Sequence, residues 1–125
     1  MRFLGKINID LYNFIPFEIR YPDVVITKRQ FQHIAEKHTD VLTHFDKYFP
    51  DLLENPDYII EADKPKTAIL LYKEPFSDKT AKVVLRLATT DDGPEYINSI
   101  ITFMRIDEKE LARILRNKKI VYIKT

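Results

Sequence analysis

The spacing of apolar positions changes near Asp57 and divides the chain in two. In the first stretch, Ile7, Ile9 and Leu11 alternate with polar residues and predict a weak strand over Phe3–Leu11. Pro16 and Pro22 punctuate a loop, and Val24-Val25-Ile26 predicts a short β-branched strand. Thr27 then stands three residues before Gln30, a capping-box pattern. Phe31, Ile34, Ala35 and His38 follow at i, i+3, i+4 and i+7, one face of a helix. Val41, Leu42, Phe45, Phe49, Leu52 and Leu53 keep helical spacing, which predicts a second helix over 41–53 that Pro50 kinks or splits.

Beyond the Asn55-Pro56-Asp57 turn the pattern becomes strand-like. Strands are predicted at Tyr58–Ile60, Thr67–Lys73, Lys82–Ala88, Ile97–Ile106 and Lys119–Lys124. Asp107 with Glu110 forms another capping box and opens a short helix to about Leu115. Helices first and an antiparallel meander afterwards predict an α+β fold rather than a parallel α/β sheet. No repeat, low-complexity stretch or linker interrupts the 125 residues, so the reading is one domain over 1–125.

Composition narrows the function classes. With no Cys, thiol catalysis, disulfide scaffolding and Cys-type zinc sites are excluded. Two Gly are too few for a Gly-rich phosphate loop. No apolar run approaches the ~18 residues of a membrane span, and Lys6, Asn8 and Asp10 break any signal-peptide core. The expectation is a cytoplasmic protein without a membrane partner, delivery by a phage or secretion system being left open. Twenty Lys/Arg against nineteen Asp/Glu argue against a strongly basic nucleic-acid binder. The charge is uneven, however: residues 1–62 hold seven basic and ten acidic residues, and residues 63–125 hold thirteen and nine. Arg113, Arg116, Lys118, Lys119 and Lys124 make the last thirteen residues purely basic, a local anion site or a solvated tail.

The candidate chemistry starts from the three histidines. His33 and His38 lie five apart and point about 140° apart on a helix, which misses the i, i+4 spacing of a zinc helix. No metal or cofactor is expected. General acid–base work suits His38 better, because imidazole titrates near neutral pH. His38 shares the apolar stripe, whereas His33 sits with Arg29 and Lys37 on a polar flank. A core-edge histidine bonded to backbone is the competing reading of His38, and His44 is read as structural outright. Arg86, mid-strand opposite Val83, Leu85 and Leu87, suits a bidentate grip on phosphate. The competing reading pairs it with a carboxylate. Strict alternation in the strand containing Asn98, Ser99 and Thr102 places Asn98, Ile100, Thr102 and Met104 on one face. Thr102 then shares the open face with Arg86, and Ser99 needs a bulge or the strand end to join them. Lys64 and Lys66 flank a turn beside Thr67, as phosphate contacts or as solvated charges.

The segments VVITKRQFQHIAEKH, PDYIIEADKPKTAIL, VVLRL, NSIITF and LRNKKIVYIK, in that order, resemble the phage-associated relatives of the barnase–EndoU–colicin–RelE superfamily, the PBECR domains. The resemblance covers about Val25 to Lys124. It implies one or two N-terminal helices packed on a curved antiparallel sheet of four or five strands. It also implies metal-independent RNA cleavage, in which the 2′-hydroxyl attacks the adjacent phosphate to leave a 2′,3′-cyclic product. Carried over residue by residue, it implies catalytic His38, His33, Arg86, Thr102 and Ser99. Lys66, Thr67 and Lys119 are the substrate contacts expected beside them. RNA, whether tRNA or ribosome-bound RNA, is the partner it implies, with an immunity or antitoxin protein. A non-catalytic module of the same fold, binding protein or nucleic acid, remains the alternative. The two differ in whether His38, Arg86 and Thr102 meet in one cleft.

Overall fold

The computed structural model describes residues 1–37 and 46–125. Strand β1 (Arg2–Lys6) is followed by β2 (Asp23–Ile26) and helix α1 (Lys28–Lys37). A 3-10 turn (Asp46–Tyr48) leads into α2 (Phe49–Glu54). Then come β3 (Tyr58–Glu61), β4 (Thr67–Lys73), β5 (Thr80–Arg86), β6 (Asn98–Ile106), α3 (Glu108–Asn117) and β7 (Ile120–Ile123).

The local signals act as their chemistry requires. Thr27 Oγ1 accepts from Gln30 N at 3.2 Å, and Asp107 Oδ1 accepts from Glu110 N at 2.8 Å. Each bond satisfies one N–H that the first helical turn leaves without an intrahelical partner. Thr27→Ala should therefore lower stability by about 1 kcal/mol. A urea midpoint unmoved by the substitution would contradict the cap. Pro50 lies in the first turn of α2, where a missing N–H costs nothing, so it starts that helix rather than kinking it. Helix α2 packs on β1 at Gly5, whose φ of +155° and 3.1 Å approach of Pro50 Cα to an added Cβ leave no room for a side chain. The expected start of this helix at 41–45 lies outside the described residues, as do His38 and His44.

All seven strands join one sheet in the order β1-β2-β6-β5-β4-β3-β7. The four or five strands implied by the resemblance are too few, and the sheet is mixed because β2 runs parallel to β6. The count rises because the β-branched run of β2 pairs with the start of β6 while β1 pairs with β2, and because Ile120 of β7 covers the β3 edge at Ile60. The predicted strand over Phe3–Leu11 is shorter: Asn8 caps a 3-10 turn at Ile9–Leu11 by accepting from Asp10 N.

Burial distinguishes the two faces. Ile34 of α1 and Phe49, Leu52 and Leu53 of α2 bury against Val83, Leu85, Ile100 and Phe103 on the first face. Ile114 of α3 buries with Ile60, Ile69, Leu71 and Ile106 on the second. Leu111, Leu115, Val84 and Met104 complete that smaller cluster. Burial of this kind stabilises by roughly 25 cal/mol per Å² of apolar surface.

Candidate functional site

A β-bulge builds the candidate site. Along β5 and β6 the facing pairs run Lys82–Met104, Val83–Phe103 and Val84–Thr102, then shift to Leu85–Ile100 and Arg86–Ser99. Ile101 is the extra residue. Beyond it every β6 side chain changes face relative to strict alternation. Ser99 and Thr102 therefore lie on the second face with Arg86, while Asn98 and Ile100 turn to the first. The expected grouping of Asn98 and Ile100 with Thr102 is corrected by this one residue. The condition placed on Ser99, that a bulge bring it to Arg86, is met.

Asn98 has a different task. Its side chain is buried and fully engaged: Oδ1 accepts from Ala88 N at 2.8 Å, and Nδ2 donates to Tyr21 O at 2.7 Å and Asp23 O at 3.0 Å. It pins the segments entering β2 and leaving β5 to the start of β6. The loop after β5 is pinned a second time by Arg20, which donates to the carbonyls of Thr89 (3.0 Å), Thr90 (3.3 Å) and Asp92 (2.9 Å). An antiparallel bridge between Ile19 and Thr89 completes the anchorage.

That anchored loop delivers a carboxylate to the sheet-face cations. Asp92 Oδ1 accepts from Arg86 Nη2 at 3.0 Å and from Lys66 Nζ at 3.3 Å. Its Oδ2 accepts from Thr89 N at 2.8 Å and Thr89 Oγ1 at 3.1 Å. Arg86 Nη1 also donates to Leu87 O. Lys66 reaches the same place because Thr67 faces Arg86 across the β4–β5 pair and Leu87 N donates to Lys66 O at 2.8 Å. Lys66 itself has a left-handed φ of 57°, and its ammonium sits 5.1 Å from the Phe17 ring centroid. Asp91 Oδ2 accepts a second hydrogen bond from Lys66 Nζ, at 2.8 Å.

The electrostatics follow. The Arg86 hydrogen bond, then the Thr89 N–H, hold the Asp92 carboxyl well below the usual carboxylate range. The Asp91 hydrogen bond, ahead of the Asp92 one, holds the Lys66 ammonium above the usual lysine range. Because Asp92 is depressed in the folded state, the unfolded chain binds the proton first on acidification. Its contribution is present above the unfolded value of about 4 and is lost as pH falls towards the folded value. The urea midpoint should accordingly drop below about pH 4, and Asp92→Asn should start lower and fall less steeply. Parallel acid limbs in the two proteins would contradict this pairing.

The remaining expected residues separate. Thr67 is buried, and its hydroxyl donates to Pro65 O at 3.1 Å inside the turn. Lys119 is exposed beside Glu61 at 3.3 Å, at the β7 edge, three strands or about 14 Å from β5. His33 is exposed on α1 and lines an open recess of about 480 Å³ with Arg29, Gln30, Gln32 and Glu36. Helix α1 packs on the face opposite Arg86, so His33 and Arg86 are not brought together. Among the described residues no group of three or more His, Cys, Asp or Glu side chains gathers as metal ligands, and no helix is long and apolar enough to cross a membrane.

Sequence reading missed Asp92 and Arg20 and gave Asn98 the wrong face. A signal existed for the loop: Thr89-Thr90-Asp91-Asp92-Gly93 has the composition of a turn fixed by its own side chains. Nothing local says which cations such a loop will meet.

No curated protein and no solved structure matches the chain significantly. Residues 12–123 match the family described as PBECR2, phage-Barnase-EndoU-ColicinE5/D-RelE like nuclease2, and that match takes in β2 to β7 and the whole Arg86 face. The chain thus belongs to the PBECR2 family of nucleases.

Proposed function

We propose that residues 1–125 form one nuclease domain that cleaves RNA without a divalent metal, on the sheet face around Arg86. The observation that carries this reading is the convergence of Arg86, Ser99 and Thr102 on one face, with Lys66 beside them. Arg86 is 36% exposed, so its guanidinium is reachable while Asp92 fixes one edge of it. A fixed, partly desolvated guanidinium is suited to the charge of a phosphorane. Ser99 and Thr102 add hydroxyls for phosphate or ribose oxygens.

In the reaction, the 2′-oxygen forms a bond to the adjacent phosphorus and the bond from phosphorus to the 5′-oxygen breaks. A base takes the 2′-hydroxyl proton, and an acid gives a proton to the departing 5′-oxygen. The products are a 2′,3′-cyclic phosphate and a 5′-hydroxyl. His38 is assigned the proton transfer, and His33 is the second candidate. Family membership supports phosphodiester chemistry, and the lack of Cys leaves imidazole as the side chain that titrates nearest neutral pH. RNA is the substrate in this reading, and an immunity or antitoxin protein is the expected partner. The test is purified protein with total RNA in EDTA, read on a gel. Cleavage by the native chain and strongly reduced cleavage by Arg86→Ala is expected. Activity that needs added metal would overturn the mechanism.

One observation favours a second reading, a non-catalytic module of the same fold. Asp91 and Asp92 already neutralise Lys66 and Arg86. In that case the chain binds RNA or protein and no RNA is cut.

A further inference from the structure

Two adjacent carboxylates meet the same cations in different ways. Asp92 is 9% exposed, has both oxygens hydrogen-bonded, and sits on a loop that Arg20 ties down at three carbonyls. Asp91 is 52% exposed, and its carboxylate reaches only Lys66 among the described residues. We propose that the two act on the phosphate site in opposite senses: Asp92 is a positioning residue that holds Arg86 and Lys66 together, and Asp91 is a placeholder that an RNA phosphate displaces from Lys66. The inference rests on the Arg86 face being the phosphate site.

Arg86 ends β5 and Lys66 sits on the turn just before the facing strand β4. They carry like charge, so without an anion between them they repel and swing towards water. A fixed carboxylate that bonds both keeps them close at no cost when the substrate arrives, which is preorganisation. Asp92 is suited to this because Thr89 N–H and Oγ1–H hold its other oxygen. Asp91 has no such anchor on its carboxylate. The Lys66–Asp91 pair is open to water on its carboxylate side and contributes little to stability, so a phosphate on the same ammonium replaces that carboxylate at small cost. The Lys66 ammonium itself is mostly covered, between the Phe17 ring and the two acids, so Asp91 is the contact that yields.

Removing a negative charge from an RNA-binding surface should by charge alone tighten binding wherever it is done. Opposite signs at neighbouring positions therefore report roles rather than charge. The probe is a short RNA carrying a 2′-deoxy nucleotide at the scissile position, titrated into the native chain and into Asp91→Asn and Asp92→Asn. Asp78→Asn, on the β4–β5 loop at the far end of those strands, is the control for charge. Asp91→Asn should tighten binding about threefold and Asp92→Asn should weaken it about tenfold, with Asp78→Asn within about twofold of the native chain.

Both effects should depend on the cations. In a Lys66→Met background the Asp91→Asn gain should vanish. With Arg86→Ala added, Asp92→Asn should cause no further loss of affinity while its effect on the urea midpoint remains. A shift of the same sign in both single variants, or an Asp91→Asn gain that survives Lys66→Met, overturns the inference. Since Asp91 is exposed, its variant keeps the test valid if Asp92→Asn does not fold. The opposite signs in a chain that cuts no RNA would remove the nuclease reading and leave this one. Cleaved RNA with equal affinities would do the reverse.

Discussion

Arg86→Ala is expected to lower kcat for RNA by about 10²–10³ while leaving the fold intact. Arg86 stands on β5 with its guanidinium on the second face, and its backbone continues the ladder to Thr67 and Ser99 whatever its side chain is. Truncation removes the planar group that can bind two phosphate oxygens at once and leaves only Lys66 to meet the charge that develops on phosphorus. Stability should change by no more than about 1 kcal/mol, because the pair is partly exposed and Asp92 keeps Lys66 and Thr89. Arg86→Lys should recover only part of the rate, since an ammonium cannot reproduce the bidentate fork. Steady-state kinetics with a urea midpoint for each variant decides the matter. Native kcat in Arg86→Ala would show that the ion pair with Asp92 is structural alone.

His38→Ala should cost about 10²–10⁴ in rate, the usual contribution of a positioned general acid or base. His38 follows directly on the last residue of α1 and lies outside the described residues, so this expectation comes from the sequence and the family resemblance. His33→Ala should keep most of the activity, because His33 is exposed on a helix packed on the face opposite Arg86. As His38 and Arg86 serve one step, the double variant should lose less than the two single losses combined. The reverse pattern, with His33→Ala inactive and His38→Ala active, would move the proton transfer to His33.

Much of the fold was legible from the residues themselves. Thr67–Lys73 is a short apolar run between two turns and forms β4 within those bounds, buried on both faces of the sheet. Thr27 and Asp107 announce their helices because a cap is a contact over three residues, which a sequence displays directly. The pass along the chain predicts seven strands, and the sheet has seven; the family resemblance, which implied four or five, was the poorer guide to that number. The candidate site was legible only in part. Arg86 and Thr102 declare their face by alternation, but the bulge at Ile101 cannot be placed from NSIITF, where every residue suits a strand. The Asp92 link to Lys66 joins residues 26 apart in sequence, and it depends on Arg20 holding the loop from 72 residues away and on Asn98 tying the end of β5 to the segment before β2. Such contacts come from topology, which local pattern does not encode.

The central claim is that the Arg86 face directs the substrate's own 2′-hydroxyl at the phosphate. Its most direct test is a pair of matched oligonucleotides in EDTA, one all-RNA and one with a single 2′-deoxy nucleotide at the cleaved position, with products identified by mass spectrometry. The account predicts a 2′,3′-cyclic phosphate and a 5′-hydroxyl from the first and no cleavage at that position in the second. Equal cleavage of both, or a product with a 5′-phosphate, would contradict it.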